Sequence, residues 1–245
     1  MNESKGNLVR EYRAYKACFY IAIVSLLILY AVNLLLDVES AFKLNDEDGF
    51  IESFTAISFF LIAVIFLILL IRTRAWILIF FVLAFIFGAG EEISWGQRLF
   101  NFETPESIET VNAQREFNLH NLNVFNSIDD EGQKQGISRF FGFNTLFFLF
   151  CLAYGILLPL MMKIGFVNKI VERIKLPVPP LILGLFFLIN YLLFKALSVF
   201  NVVEGSSLHF SSVIDESKEL GWAIVFLLIA ISFLKDLRKS KEAEA

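Results

Sequence analysis

Residues that usually announce chemistry are scarce in this chain. It holds two cysteines and two histidines in 245 residues. Cys18 and Cys151 fall in or beside apolar runs, so no disulfide framework can be read from them. The chain has no HExxH and no Gly-x-Ser-x-Gly, which removes two familiar hydrolytic signatures. It shows no internal repeat and no Gly/Ser-rich linker. Charge is also low. Charged residues make up 19% of the chain, against about 25% in soluble domains. They stand in blocks between long uncharged runs, which excludes an ordinary soluble domain.

Apolar length is what the chain has in plenty. It is 57% hydrophobic with 29 Phe, and its mean hydropathy is +0.66. About 20 apolar residues cross about 30 Å of hydrocarbon as a helix. Only helices and closed barrels satisfy their backbone groups there. The runs lack two-residue alternation, so they are helices and not barrel strands. Six spans are expected, at about residues 17–36, 51–71, 75–95, 143–162, 181–200 and 218–235. The first is longer than a signal-peptide core and has no clear cleavage site after it. The expected fold is an all-α polytopic membrane helical bundle, read as one domain over residues 1–245.

Orientation follows from the basic residues. The two termini, the Arg72–Arg74 turn and the 163–175 linker hold fourteen of the 21 Lys and Arg. Positive charge in short segments marks the cytoplasmic side, so both termini are expected on the cytoplasmic side of an inner membrane. The 163–175 linker, with Ile170, Val171 and Ile174, suits an interfacial amphipathic helix. The long polar segment 96–142 then forms an extracytoplasmic cap. Within it, Thr104-Pro105-Glu106 reads as a helix start and predicts a short helix over about 105–116.

The candidate site begins where the third span ends, in Gly88-Ala89-Gly90-Glu91-Glu92-Ile93-Ser94-Trp95-Gly96-Gln97-Arg98. A carboxylate at membrane depth costs about 2.5–3.5 kcal/mol on insertion scales, which makes Glu91 and Glu92 candidates for a general base or a metal ligand. They equally read as helix-end carboxylates paired with Arg98 or with Lys195 of the fifth span. Trp95 fits an interfacial aromatic belt. Downstream, Glu109, Asn112, Glu116 and His120 recur at helical spacing, and alternation over the same residues also suits an extended segment. Asn118 and Asn121 flank His120 and are expected to fix its ring. The second histidine, His209, sits among serines, ahead of Asp215, Glu216 and Glu219 at the positive start of the sixth helix. A divalent metal, if bound, would draw on Glu92, His120 and His209.

The GEEISWGQR stretch, with ETP and then Asn112, Gln114, Glu116 and Asn118 to Asn121, resembles an uncharacterised family of bacterial multi-pass membrane proteins. That resemblance spans about 88–121 and implies no activity. Paired Glu and two separated His are also similar, in ingredients, to the CPBP intramembrane proteases. The spacing departs from theirs: Arg98 follows Glu92 after five residues, Phe117 precedes His120 by three, and Val213 stands four after His209.

The expected function is a membrane-embedded hydrolase or transferase acting on a lipid or lipid-linked substrate, with membrane lipid and not nucleic acid as partner. Glu91, Glu92, His120 and His209 would carry the chemistry. Trp95, Gln97, Arg98, Glu116, Asn118, Asn121 and Lys195 would bind substrate, with Arg98 as clamp for an anionic group. A transporter or channel, or a structural protein that docks a partner, are the alternative readings.

Overall fold

A computed structural model describes residues 2–45, 49–126, 141–200 and 214–244. Among these the chain is helical, with no strand and one isolated bridge between Asn112 and Leu122. Eight helices matter here: α1 (Asn2–Leu35), α2 (Val38–Leu44), α3 (Phe50–Thr73), α4 (Leu78–Glu92), α5 (Phe143–Met161, with a π-helical turn at Ala153–Leu157), α6 (Gly165–Ile174), α7 (Leu181–Phe200) and α8 (Asp215–Glu244).

Five of them are long and apolar enough to cross a membrane: Ala14–Leu35 of α1, Phe50–Thr73, Phe143–Met161, Leu181–Ser198 of α7 and Asp215–Lys239 of α8. Their outward faces are as apolar as their cores. Leu27, Ile28, Phe60, Leu149 and Leu192 are all more than half exposed, which suits contact with hydrocarbon. The expected third span differs. Over residues 75–95, α4 is regular only for its 15 residues, about 22 Å of rise. It stops because Ser94, Trp95 and Gly96 take left-handed backbone, with φ of 45°, 54° and 77°.

The bundle is built around α8, whose span is 61% buried. Trp222, Phe226 and Ile229 on it are at most 2% exposed. Phe226 lies 4.6 Å from the Phe85 ring and is ringed further by Phe150, Tyr154 and Phe187. The helix α3 packs on α8 and on α4, while α1 and α7 pack on α8 and on each other. Arg74 closes α3 in left-handed conformation and returns the amide of its own residue to Leu70.

Two polar knots fix the end of the bundle where α4 finishes. Asn33 Nδ2 donates to Ser217 Oγ, Asn45 Nδ2 donates to Asn33 Oδ1, and Ser217 Oγ donates to Asn45 Oδ1, at 2.9, 2.6 and 2.6 Å. Tyr30 Oη donates to Asn190 Oδ1, and Asn190 Nδ2 donates to the Lys218 carbonyl, each at 2.8 Å. Every polar atom in these knots is buried, and each donor has an acceptor, as a low-dielectric interior demands. At the opposite end Tyr15 donates to Asp236, and Lys235 donates to the Ala14 carbonyl.

Close approach makes two glycines indispensable. The π turn of α5 precedes Pro159, which lacks the N–H that would bond back to residue 155. There Gly155 meets Gly184 of α7, and a Cβ on Gly184 would lie 1.8 Å from the Gly155 carbonyl oxygen. A Cβ on Gly221 would lie 2.2 Å from Asn190 Oδ1. Gly184→Ala and Gly221→Ala are each expected to cost about 1–3 kcal/mol by overpacking, read as a lower thermal midpoint in detergent. Gly165→Ala, where nothing lies within 4 Å, is expected to leave the midpoint unchanged.

Candidate functional site

The site starts from Glu91. The residue is 4% exposed at the C-terminal end of α4, where the helix dipole disfavours negative charge. Four donors offset this. Trp95 Nε1 donates to Oε1 at 2.7 Å. The consecutive backbone amides of Leu119 and His120 donate to Oε2 at 2.7 and 2.8 Å, and His120 Nδ1 stands 3.4 Å from the same oxygen. One carboxylate therefore ties the end of α4 to the Asn118–Asn121 loop and orients the imidazole.

The rest of the cap is organised to reach this point. Ser94 Oγ donates to Glu116, and Asn118 Nδ2 donates to Ser94 Oγ and to Glu116 Oε2, both at 3.2 Å. Asn112 is the hub. Its Nδ2 donates to the Asn118 carbonyl and side chain, and its Oδ1 accepts from the Gln114 and Glu116 amides. Gln97 Nε2 donates to Thr104 Oγ1, and Gln97 Oε1 accepts from the Phe117 amide. The Asn121 carbonyl accepts from Ala113.

Several expectations are corrected here. The helix over 105–116 is a single turn, Glu106–Glu109, because Thr104 bonds to Gln97 and to the Arg115 carbonyl and does not cap. The stripe Glu109, Asn112, Glu116, His120 does not form, since Arg115 is left-handed at φ 61°. Glu116 turns to Ser94 while His120 turns to Glu91. Asn118 braces the loop through Glu116 and Ser94, and Glu91 stands beside the ring of His120. Lys195 is exposed, with its ammonium 5.8 Å from the Tyr191 and Phe194 ring centroids, and does not pair with Glu91 or Glu92. The backbone of Arg98 lies in the turn Gln97–Phe100. His209 lies outside the described residues.

Beside Glu91 a cavity of about 580 Å³ runs between α4 and α5. Phe59, Phe85, Phe87, Phe143, Phe147 and Phe150 make most of its wall. Its polar end is Glu91, Glu92, His120, Asn144 and Glu219. Phe80, Ala84 and Leu146 on its rim are exposed, so the cavity opens sideways on the apolar face of the bundle. Its size falls within the roughly 300–1,000 Å³ of small-molecule sites.

Glu219 and Asn144 are the residues that sequence reasoning left out of the site. Asn144 Nδ2 donates to Glu219 Oε1 and so joins α5 to α8. Glu219 sits beyond the first turn of α8, where the dipole no longer accounts for an acid; that is the signal that could have found it. Glu92, Glu216 and Glu219 each present an oxygen within 4.8 Å of the other two, a geometry that could hold a divalent cation. The adjacent Lys218 is 6% exposed. Its ammonium pairs with Asp215 and lies 4.7 and 5.3 Å from the Phe194 and Trp222 rings.

His120 titrates above its ordinary value. Burial pushes the imidazole down, but the Glu91 carboxylate bonded to it, with the charges of Glu219 and Glu52, more than reverses this. The chain matches no protein-family model, no curated protein and no solved structure.

Two outcomes follow for the cap. Glu91→Ala leaves two part-buried amides and an indole N–H without their acceptor and is expected to cost about 2–4 kcal/mol, seen as protease cleavage within 101–126 under conditions where the wild type resists. The folded pKa of His120 is above the unfolded one. Its contribution to docking is therefore complete below the unfolded value of about 6.5 and lost as the pH rises through the folded value. An NMR titration of the ring is expected to move down in Glu91→Gln.

Proposed function

We propose that the protein is a membrane-embedded hydrolase or transferase acting on a lipid or lipid-linked substrate. The observation that carries this is one cavity whose aromatic wall opens on the exposed apolar face of the bundle and whose inner end gathers Glu91, Glu92, His120, Asn144 and Glu219. An apolar chain fits the wall, and a reactive head group then meets acid–base side chains at the polar end.

In this reading α4 crosses with its neighbours as a sixth span, its short rise extended by the 3₁₀ bonds at Ala75–Phe80. Both termini are cytoplasmic, by the distribution of Lys and Arg, and the site lies at the outer leaflet of the inner membrane. A carboxylate of Glu92 or Glu219 takes the proton from water or from an acceptor hydroxyl. His120, as imidazolium, gives a proton to the leaving group as its bond to the attacked centre breaks. Glu91 positions that ring and holds the loop. Trp95, Gln97, Glu116, Asn118 and Asn121 support it from the cap.

General acid–base side chains contribute roughly 10²–10⁴-fold each to a rate. Glu92→Gln, Glu219→Gln and His120→Ala, expressed in a strain deleted for the gene, are expected to leave the deletion's lipid profile unrepaired where the wild type restores it. Full restoration by all three would exclude an enzyme at this cavity. Leu27→Ala, on the outward face of α1, should restore the profile like the wild type.

A further inference from the structure

Given the reading of this cavity as a lipid site, its walls and its charges also say what kind of head group fits. Among the described residues that line it, three are carboxylates, Glu91, Glu92 and Glu219, against one imidazole, His120; none is Lys or Arg. Glu216 adds a fourth carboxylate beside Glu92 and Glu219. The nearest buried cation, Lys218, is turned to Asp215 and to two aromatic rings, and does not line the cavity. Glu91 is committed to the cap by its four donors. Glu92 and Glu219 are then the acids that meet an occupant.

A phosphate or carboxylate head group brought to this end would meet acids and one imidazole, with no Lys or Arg among the described lining residues to neutralise it. A protonated amine would be attracted, and its N–H groups would find carboxylate acceptors in charge-assisted bonds. We infer that the occupant is a long-chain amine, a single-chain amphiphile whose alkyl tail lies along Phe59, Phe85, Phe147 and Phe150 and whose ammonium sits between Glu92 and Glu219. The exposed rim at Phe80, Ala84 and Leu146 lets such a chain enter sideways from the bilayer. This replaces an anionic head group, for which an Arg98 clamp was expected, with a cationic one.

Chain-matched ligands separate the head group from the tail. The full-length protein in a neutral detergent, with EDTA throughout, is titrated with tetradecylamine, tetradecanol, tetradecanoate and tetradecyl phosphate, and binding is read by native mass spectrometry. The amine is expected to bind at least tenfold more tightly than the carboxylate or the phosphate. Glu92→Gln and Glu219→Gln are expected to lose that preference while tetradecanol binds as in the wild type. Ala84→Trp, which fills the rim, is expected to weaken all four. A carboxylate or phosphate that binds as tightly as the amine overturns the head-group inference and leaves the lipid site standing. So does an amine preference that survives both Gln variants. A phosphate that prevails once magnesium replaces EDTA overturns it too, in favour of a cation at Glu92, Glu216 and Glu219. If no ligand binds and Ala84→Trp changes nothing, the lipid reading of the cavity falls with it.

Discussion

The hydrogen bonds that Glu91 accepts at the end of α4 are the constraint on which the site depends. A carboxylate there meets the negative end of the helix dipole and a largely apolar surrounding. It is held because Trp95, one turn on, and two successive loop amides supply donors at 2.7–2.8 Å. The left-handed run Ser94–Gly96 makes this possible. It costs backbone strain at two non-glycine residues, of order 1–2 kcal/mol each, and it turns the chain back over the helix end. Without the carboxylate the turn keeps only its side-chain bonds from Ser94 and Gln97 to the cap, and His120 loses the group that holds it at the cavity.

A second scaffold fixes the other wall. The Asn33–Asn45–Ser217 ring and the Tyr30–Asn190–Lys218 relay lock α1, α2, α7 and α8 just behind Glu219. Interhelical hydrogen bonds in membranes are worth about 0.6 kcal/mol on average. Their value here is positional, because each has its partners used up and leaves α8 a single register. Glu92 and Glu219 therefore face each other from two independently fixed bodies, the capped end of α4 and the knotted start of α8.

Much of this was legible in the sequence, and the gaps have physical causes. The positions of five of the six expected spans followed from uninterrupted apolar length. The early end of α4 did not, because left-handed backbone at Ser94 and Trp95 is a tertiary consequence of Glu91 and Glu116. The cap helix failed for a related reason: Thr104, a good N-cap by type, is taken by Gln97. Neighbours in a helix point about 100° apart, and in the structure Glu91 turns to the cap as well as the cavity while Glu92 turns to the cavity and Glu219. Sequence alone did not say that it is Glu91 that takes the cap amides. Lys195 and Lys218 both stood near helix ends, and the choice of the buried one rests on which face of α8 meets α7. The mutual contact of Asn33, Asn45 and Ser217 depends on packing that no local pattern encodes.

The central claim is that the Glu91 carboxylate docks the loop and orients His120. It is tested most directly by solid-state NMR on protein labelled with ¹³C-glutamate and ¹⁵N-histidine, reconstituted in bilayers. With two histidines in the chain, His209→Ala leaves one set of signals. The account predicts a carboxyl correlation to both the backbone and the ring nitrogen of His120, and its loss in Glu91→Gln. A His120 with no carboxyl contact, or a correlation that survives Glu91→Gln, would contradict it.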